Sequence, residues 1–331
     1  MLRSETAGAP ERQAIALDGL RAYQDAPRGR ARKPAPARFR KGGARLRDYG
    51  GDGRPVVLIP SLINPPFILD LTPDVSLLRW LAAQGLHPYL LDWGSPGPTD
   101  RGMDITAHVE RLLLPLIAKL PEPPVLVGYC LGGTIALAAA CATPVAGLAL
   151  IAAPWRFDGF GDAARAEIAA LWQAAQPACE AIGMVPMEVL QSGFWRLDPA
   201  RTIAKYEAFA AMAPGSAAAR LFVAMEDWAN AGAPLSYAAG RQLFEEFIAG
   251  NQTGRGAWHV GGHTADPAAL RCPAIDFVSM SDRIVPAASA ADLPDRRDLG
   301  AGHVGMIVGR GGRTQLWEPL AHWLSALPRP R

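Results

Sequence analysis

One short segment constrains the fold of this chain more than any other, because an apolar run leads into a glycine-rich turn and then into a helix. The apolar run is 125–128, the turn is 128–133 (GYCLGG), and alanine-rich sequence continues to about residue 142. A buried strand, a tight turn and a helix in this order form the context that the G-x-C-x-G motif requires. Glycines two residues before and after Cys130 let strand and helix approach closely, so we expect Cys130 to project from a strained elbow.

Cys130 has the surroundings of a nucleophile. The N-terminus of a helix favours the thiolate form of a cysteine, because unpaired backbone N–H groups and the helix dipole stabilise negative charge. The backbone N–H of Leu131 would supply one donor of an oxyanion hole, and a donor from the 61–63 loop, which we assign to Leu62, would supply the other. The pattern also leaves open a purely structural cysteine at the end of a strand.

An acid and a histidine follow Cys130 in the order that this arrangement of strand, elbow and helix requires. Asp282 comes shortly after a predicted strand at 273–279, and His303 lies in a loop 21 residues after Asp282. The glycines that flank His303, at 302 and 305, predict an exposed imidazole. The sequence therefore predicts a triad of Cys130, Asp282 and His303. The alternatives are a turn cap for Asp282 and a backbone-bonded loop histidine for His303.

Other titratable residues are weaker candidates. Asp92 stands at the end of a predicted strand and is the second choice for the acid. The remaining histidines lie in predicted strands, helices or the insertion: His87, His108, His259, His263 and His322. We expect the other cysteines to be packing residues; they are Cys141, Cys179 and Cys272.

Alternating strand-like and helix-like segments predict an α/β fold with a mostly parallel sheet flanked by helices. Apolar runs typical of buried strands occur at 55–60, 87–92, 125–128, 145–151 and 273–279. Between 155 and 266 the sequence becomes alanine-rich and helical. We therefore expect an α/β core of 48–154 and 267–331, interrupted by a helical cap or lid insertion at 155–266 that covers the site.

The first 47 residues are strongly basic, with 12 Lys or Arg and 4 Asp or Glu, although the whole chain has a formal net charge of +2. Within 28–47 there are nine basic residues, no acidic residue and several glycines and prolines. This composition predicts a flexible basic arm over 1–47, either simply solvated or attached to an anionic surface. The arm lacks the aromatic interleaving expected for nucleic-acid readout, so nucleic acid is not an expected partner.

Composition limits the function class. Half of the 331 residues are apolar and 19% are charged, which excludes a disordered protein. No apolar stretch is uninterrupted for long enough to predict a transmembrane span, and the N-terminus fits neither a secretory signal nor a transit peptide, so we expect a cytoplasmic protein. The four cysteines show no CxxC spacing, and no ligand cluster implies a metal or redox cofactor.

Several separated stretches together resemble the polyhydroxyalkanoate synthases, particularly the short class III catalytic subunits. They are the loop at 60–71, the cysteine box at 128–133, the lid-like segment at 225–228 with Asn251 and Gly254, and the segments at 282–286 and 302–305. The likeness covers roughly residues 55–325, and the combination is more specific than any single stretch.

The resemblance implies an α/β-hydrolase fold with a cap, and transfer of (R)-3-hydroxyacyl groups from coenzyme A thioesters to a growing polyester chain. It implies that Cys130 carries the acyl chain, that His303 is its general base and that Asp282 helps to activate the incoming 3-hydroxyl. Coenzyme A enters only as the carrier of the substrate. The implied partners are a non-catalytic synthase subunit, a second copy of the chain bound through the cap to give a homodimer, and the surface of cytoplasmic polyester granules.

Two other functions are consistent with the same residues. A hydrolase, such as a thioesterase, esterase or polyester depolymerase, would let water resolve the acyl-enzyme, and the outcome depends on how well the cap excludes water. A catalytically silent protein that binds granules or partners through its arm and cap is the third hypothesis. The presence of Cys130, Asp282 and His303 argues against it.

Overall fold

In the computed structural model, which describes residues 6–28, 33–197 and 199–328, a mostly parallel sheet forms the centre of the fold. The strands are, in chain order, β1 (Ala37–Lys41), β2 (Ala44–Asp48), β3 (Pro55–Ile59), β4 (His87–Asp92), β5 (Val125–Tyr129), β6 (Gly147–Ile151), β7 (Met184–Val185), β8 (Leu235–Ser236), β9 (His259–Val260), β10 (His263–Thr264), β11 (Ala274–Ser279) and β12 (Asp295–Leu299). The large sheet has the order β1-β2-β4-β3-β5-β6-β11-β12, while β7 pairs with β8 and β9 with β10. All pairs from β4 to β12 in this order are parallel, whereas β2 is antiparallel to both of its neighbours.

Helices flank the sheet and fill the long segment between β6 and β11. They are α1 (Pro10–Asp25), α2 (Leu77–Ala83), α3 (105–117), α4 (Leu131–Ala142), α5 (Asp162–Ile182), α6 (Met187–Leu197), α7 (Pro199–Ala210), α8 (Ala217–Asn230), α9 (237–249), α10 (Gly305–Val308) and α11 (313–326). The middle of α3, most of α9 and the start of α11 are π-helical. Over the described residues, no helix combines the length and the apolar character needed to cross a membrane.

The predicted α/β fold is confirmed. Strands β3 and β5 are buried along their whole length, with α3 and α4 packed on one face of the sheet and α2 and α11 on the other. Burial on both faces is typical of parallel strands joined by helical crossovers. The carboxyl ends of β3, β5, β6 and β11 therefore lie along one edge of the sheet, where the loops that follow them can form a site.

The segment 155–266 is mostly helical and contains α5 to α9. Trp228 of α8 lies in the same apolar cluster as Tyr129 at the end of β5. Its indole N–H donates to the Pro65 carbonyl at 2.8 Å. Helices of this segment therefore contact the loop that follows β3. The division of the chain into a core and a cap at the predicted boundaries stays a prediction.

The prediction of a flexible basic arm over 1–47 is wrong for the described part of that region, which forms α1 and the β1–β2 hairpin. Gly42, in the two-residue hairpin turn, has a φ of +54°, as such turns require. Leu46 is fully buried, and Arg47 forms an ion pair with Asp92 of β4 at 2.6 Å. The sheet thus begins at β1 rather than after residue 47. Residues 1–5 and 29–32 of the predicted arm lie outside the described residues.

Helix α1 is held against the helices of the 155–266 segment. It approaches α7 so closely that a Cβ on Gly19 would fall 1.9 Å from the Tyr206 carbonyl oxygen. One turn further along α1, the Tyr23 hydroxyl donates to Asp227 of α8 at 2.7 Å, and Arg28 pairs with the same carboxylate at 3.0 Å. Two basic residues of the N-terminal region are therefore paired, Arg28 with Asp227 of α8 and Arg12 with Glu207 of α7.

Strand β12 was not predicted from the apolar pattern. Its sequence is DRRDL, and only its last residue, Leu299, is buried. It pairs in parallel with β11 at the edge of the sheet. Charged side chains are common on edge strands, where they discourage pairing with other chains, so a search for buried apolar runs does not detect such a strand.

Candidate active site

Cys130 occupies a strained elbow between β5 and α4, as the sequence predicts. Its φ of 56° and ψ of −133° lie in a region that side chains other than glycine rarely adopt. Two hydrogen bonds hold the turn: the Cys130 N–H donates to the Ile151 carbonyl at 2.9 Å, and the Gly133 N–H donates to the Cys130 carbonyl at 2.8 Å. The thiol is half-buried.

The glycines around Cys130 are required by the closeness of three backbone segments. A Cβ on Gly128 would lie 2.4 Å from the Gly133 Cα, and a Cβ on Gly133 would lie 2.3 Å from the Ala153 Cβ. A Cβ on Gly132 would lie 2.1 Å from the Ile59 carbonyl oxygen. The N-terminus of α4 is therefore pressed against the end of β3, and the loop after β3 lies beside the elbow.

His303 and Asp282 form a buried pair. The His303 Nδ1 and the Asp282 Oδ2 are 2.6 Å apart, and the other carboxylate oxygen accepts the N–H groups of Ile284 at 2.7 Å and Val285 at 3.0 Å. The prediction of an exposed imidazole is wrong, because the His303 side chain is 7% exposed and that of Asp282 is 0% exposed. The imidazole packs against the aromatic ring of Tyr129 rather than facing solvent.

The charge of His303 is set by its neighbours. Burial alone would lower the pKa of His303, but the negative charge at Cys130 and hydrogen bonds with the Asp282 and Cys130 side chains together raise that pKa to about 10. The His303 ring is therefore protonated at neutral pH, and its Nδ1 faces the Asp282 carboxylate. The structure thus brings His303 into contact with Asp282 and places it beside Cys130. The catalytic roles of these three residues stay a prediction.

The two predicted oxyanion-hole donors lie on the segments that meet at the elbow. Leu131 is the first residue of α4, so its N–H is one of the helix N-terminal groups without an intrahelical acceptor. Leu62 lies in the loop after β3. The Trp93 indole N–H holds this loop in place by donating to the Pro60 carbonyl at 3.1 Å. The role of Leu131 and Leu62 as donors to a substrate oxygen stays a prediction.

The competing acid and histidines have structural partners. The Asp92 carboxylate accepts a hydrogen bond from the Arg47 guanidinium at 2.6 Å, and the His87 Nε2 lies 2.7 Å from the Asp48 Oδ1. The Nδ1 of His108 lies 2.7 Å from the carbonyl oxygen of Asp104 in the same helical turn, and burial lowers the pKa of His108. The other histidines lie in the short β9–β10 hairpin or in α11: His259, His263 and His322.

The three remaining cysteines differ from Cys130 in their surroundings. All are free thiols, and burial raises the pKa of each of them: Cys141, Cys179 and Cys272. Because thiols with raised pKa values are poor nucleophiles, these sites suit packing rather than chemistry.

The residues that resemble a lid region, Asn251 and the segment 225–228, have structural partners. The Asn251 side chain accepts the Phe157 N–H at 2.8 Å, and Glu226 binds Lys205 of α7 at 2.7 Å. Sequence reasoning missed one residue of the site, Tyr129, whose ring centroid is 5.1 Å from that of His303. Its position inside the G-x-C-x-G motif was the only available signal.

Comparisons with known proteins identify the family of this chain and the proteins that it resembles. A family model described as the alpha/beta hydrolase family matches residues 56–310. A poly(3-hydroxyalkanoate) polymerase subunit PhaC from Haloferax mediterranei is 27% identical over 82% of this chain and 58% of its own length. The subunit of the same name from Synechocystis sp. is 27% identical over 82% of this chain and 77% of its own. The chain therefore spans less than two thirds of the length of the Haloferax relative.

Solved structures share the fold at low sequence identity. DcsB in complex with its substrate analogue matches with a TM-score of 0.53 and 18% identity, over 86% of this chain and 94% of that one. A monoacylglycerol lipase from Paleococcus ferrophilus matches with a TM-score of 0.52 and 15% identity, over 86% and 99%. The chain therefore belongs to the alpha/beta hydrolase family, and over most of its length it is similar to poly(3-hydroxyalkanoate) polymerase subunits.

Proposed function

We propose that this chain is the catalytic polypeptide of a polyhydroxyalkanoate synthase, an acyltransferase that joins (R)-3-hydroxyacyl groups from coenzyme A thioesters into a polyester. The observation that carries the proposal is the position of Cys130 in an elbow beside His303, which is itself bound to Asp282. Relatives named as poly(3-hydroxyalkanoate) polymerase subunits support the substrate class.

In the first step, the Cys130 thiolate attacks the thioester carbonyl of the substrate. A bond forms between the Cys130 sulfur and the acyl carbon, the bond to the coenzyme A sulfur breaks, and the His303 imidazolium gives its proton to the departing thiolate. The backbone N–H groups of Leu131 and Leu62 are the proposed donors to the oxyanion. A pKa of about 10 for His303 suits this step, because the ring holds its proton at neutral pH.

In the second step, the 3-hydroxyl of another hydroxyacyl thioester attacks the acyl group on Cys130. The hydroxyl proton passes to the neutral His303, an ester bond forms and the Cys130 thiolate leaves. The lengthened chain, now on coenzyme A, returns to Cys130 by a further thioester exchange that releases coenzyme A. Neither step uses a metal or a redox cofactor.

Asp282 acts on the hydroxyl through His303 in this scheme. One of its carboxylate oxygens is bound to the imidazole, and the other accepts two backbone N–H groups. The carboxylate therefore orients the ring and stabilises the imidazolium that forms when the hydroxyl loses its proton. This is the way in which Asp282 would help to activate the acceptor.

Hydrolysis is a second candidate, favoured by the partial exposure of Cys130. Because Cys130 is half-buried rather than enclosed, we expect water to reach the acyl group that it would carry. In that case, water replaces the 3-hydroxyl as the acceptor and the chain is a thioesterase, an esterase or a polyester depolymerase. The residues and the first step are the same for both functions.

Incubation of the purified chain with (R)-3-hydroxybutyryl-coenzyme A separates these functions. Free coenzyme A is measured with a thiol reagent, and the acyl product is recovered as insoluble polyester or as soluble 3-hydroxybutyrate. We expect coenzyme A release with polyester, no release from Cys130→Ala, and full release from the matched control Cys272→Ala. Release of soluble acid alone supports the hydrolase, and persistent release from Cys130→Ala would contradict the role of Cys130 in both.

The family resemblance supports three proposals about partners: a homodimer, a non-catalytic subunit and attachment to polyester granules. Light scattering of the active protein should give twice the chain mass of 35.2 kDa. A single-chain mass at every concentration at which coenzyme A is released would contradict the dimer. Sedimentation of the chain with polyester granules, compared with albumin, tests the attachment.

A further inference from the structure

Two serines hold the loop that leads from β12 to His303. The Ser281 hydroxyl donates to the Gly300 carbonyl at 2.8 Å, and the Ser279 hydroxyl donates to the Ala301 carbonyl at 2.5 Å. Ser279 ends β11, and Ser281 precedes Asp282 directly. The loop is therefore tied to the segment that carries the acid.

Tyr129 holds the same loop from the side of the nucleophile. Its hydroxyl donates to the carbonyl oxygen of His303 at 3.2 Å, and its ring centroid lies 5.1 Å from the imidazole centroid with 31° between the planes. Tyr129 is 3% exposed, ends β5 and is followed directly by Cys130. One side chain thus connects the strand of the nucleophile to both the backbone and the ring of the histidine.

The Tyr129 phenol remains able to donate its hydrogen bond when the pH changes. Burial, followed by the negative charges at Cys130 and Asp282, raises the pKa of Tyr129 well above its ordinary value. The phenol therefore keeps its proton across the range in which the Cys130–His303 pair can react. Phenylalanine would retain the ring contact with His303 but would leave the buried carbonyl oxygen without this donor, which is a costly change.

We propose that Tyr129 is a positioning residue for His303. It fixes the position and orientation of the imidazole, so that the ring contacts Cys130 while its Nδ1 is hydrogen-bonded to Asp282. The proposal rests on the proposed function only in taking Cys130 and His303 as the reacting pair. Without the Tyr129 hydroxyl, the loop can shift and the contact between the ring and Cys130 lengthens. Small displacements of reacting groups are enough to lower a rate strongly.

The test compares Tyr129→Phe with the matched control Tyr89→Phe, which removes a hydroxyl from a buried tyrosine of β4. Alkylation of Cys130 by iodoacetamide is followed from pH 5 to pH 10 by mass spectrometry of the Cys130 peptide. We expect Tyr129→Phe to lower the alkylation rate at pH 6 about tenfold, the effect of losing about one hydrogen bond. The control variant should react like the unaltered chain.

Turnover gives the second readout. With (R)-3-hydroxybutyryl-coenzyme A, we expect kcat for coenzyme A release to fall about tenfold in Tyr129→Phe while KM stays within about twofold, because the phenol is buried and already bound to the His303 carbonyl. Ser281→Ala, whose bond is exposed to solvent, should change kcat in the same direction but less.

A lower Tm with an unchanged alkylation profile and unchanged kcat would show that Tyr129 is merely structural, and would overturn the proposal. If Tyr129→Phe does not fold, Ser279→Ala is measured instead. An unchanged alkylation profile in that variant would show that the bonds to this loop do not set the position of His303, and this result would overturn the proposal. The alkylation profile needs no acyl substrate. A chain that releases no coenzyme A therefore refutes the proposed function, while the role of Tyr129 is still decided by alkylation.

Discussion

Gly132→Ala should strongly reduce the reactivity of Cys130, although it leaves Cys130 itself unchanged. A Cβ at this position would lie 2.1 Å from the Ile59 carbonyl oxygen and 2.6 Å from the Pro60 carbonyl carbon. Real Cβ atoms essentially never approach such atoms within 3.0 Å, so the N-terminus of α4 and the end of β3 must separate by about 1 Å. Both atoms belong to backbone, so no side-chain rotation can relieve the overlap.

This separation affects both stability and rate. Overpacking of a close-packed interior costs about 1–3 kcal/mol of the free energy of unfolding, which corresponds to roughly 1–4 °C in Tm for a chain of this size. The same movement carries Leu131 away from the loop of Leu62, and a misplacement of about 1 Å at a reacting centre can cost about a hundredfold in rate. Gly132→Ala should therefore be folded at 25 °C but nearly inactive.

The assay combines a thermal melt with coenzyme A release from (R)-3-hydroxybutyryl-coenzyme A. Gly102→Ala is the matched control, because a Cβ there meets nothing within 4 Å and its φ is not positive. We expect the control to retain the Tm and the rate of the unaltered chain. A Gly132→Ala variant with unaltered Tm and rate would refute the view that close backbone contact sets the geometry of the elbow.

Three further predictions follow from buried or paired carboxylates. Asp282→Asn keeps the shape of the side chain but removes the charge that stabilises the imidazolium, so single-turnover coenzyme A release at pH 7 should fall about a hundredfold or more. Burial raises the pKa of Asp276 to about 7, so the folded state holds this proton more tightly than the unfolded chain does. The Tm should therefore fall as pH rises from about 4 to about 7, and Asp276→Asn should flatten that slope in thermal melts; an unchanged slope would contradict the assignment. Asp227→Ala removes the carboxylate that binds Tyr23 and Arg28, which weakens the attachment of α1 to α8. Trypsin should therefore cleave the segment 199–230 faster than in the unaltered chain.

The elbow could be predicted from the sequence because its requirements are local. A strand, a helix and glycines at fixed spacing leave few backbone paths, and Cys130 takes one of them with a φ of 56°. Asp282 and His303 could be placed by their order along the chain. Their burial could not be predicted, because it depends on Tyr129 and on packing between segments that are far apart in sequence.

The N-terminal region shows how composition can mislead. Its basic residues and glycines suggested a flexible arm, but the sequence ARFRKGGARLRD at 37–48 also alternates with a period of two around a Gly-Gly turn. That pattern predicts a hairpin, and the structure has β1 and β2 there. The net charge of such a segment reflects the side chains on the exposed face of its strands. It does not indicate whether the backbone is flexible or forms a regular strand.

The hydrogen bonds from side-chain hydroxyls to the His303 loop could not be predicted from the sequence for a different reason. Tyr129, Ser279 and Ser281 donate to backbone carbonyls, and any residue can present a carbonyl. No pattern of residue types therefore marks the partner. Only the relative position of β5, β11 and the loop after β12 reveals these bonds.

Helix α8 touches α1 through Asp227 and the loop after β3 through Trp228, so a single helix separates the first helix of the chain from the elbow region. A substitution in α1 can therefore change the position of the loop after β3 through α8. Libraries that seek faster variants gain by including positions of α1 that face α7 and α8.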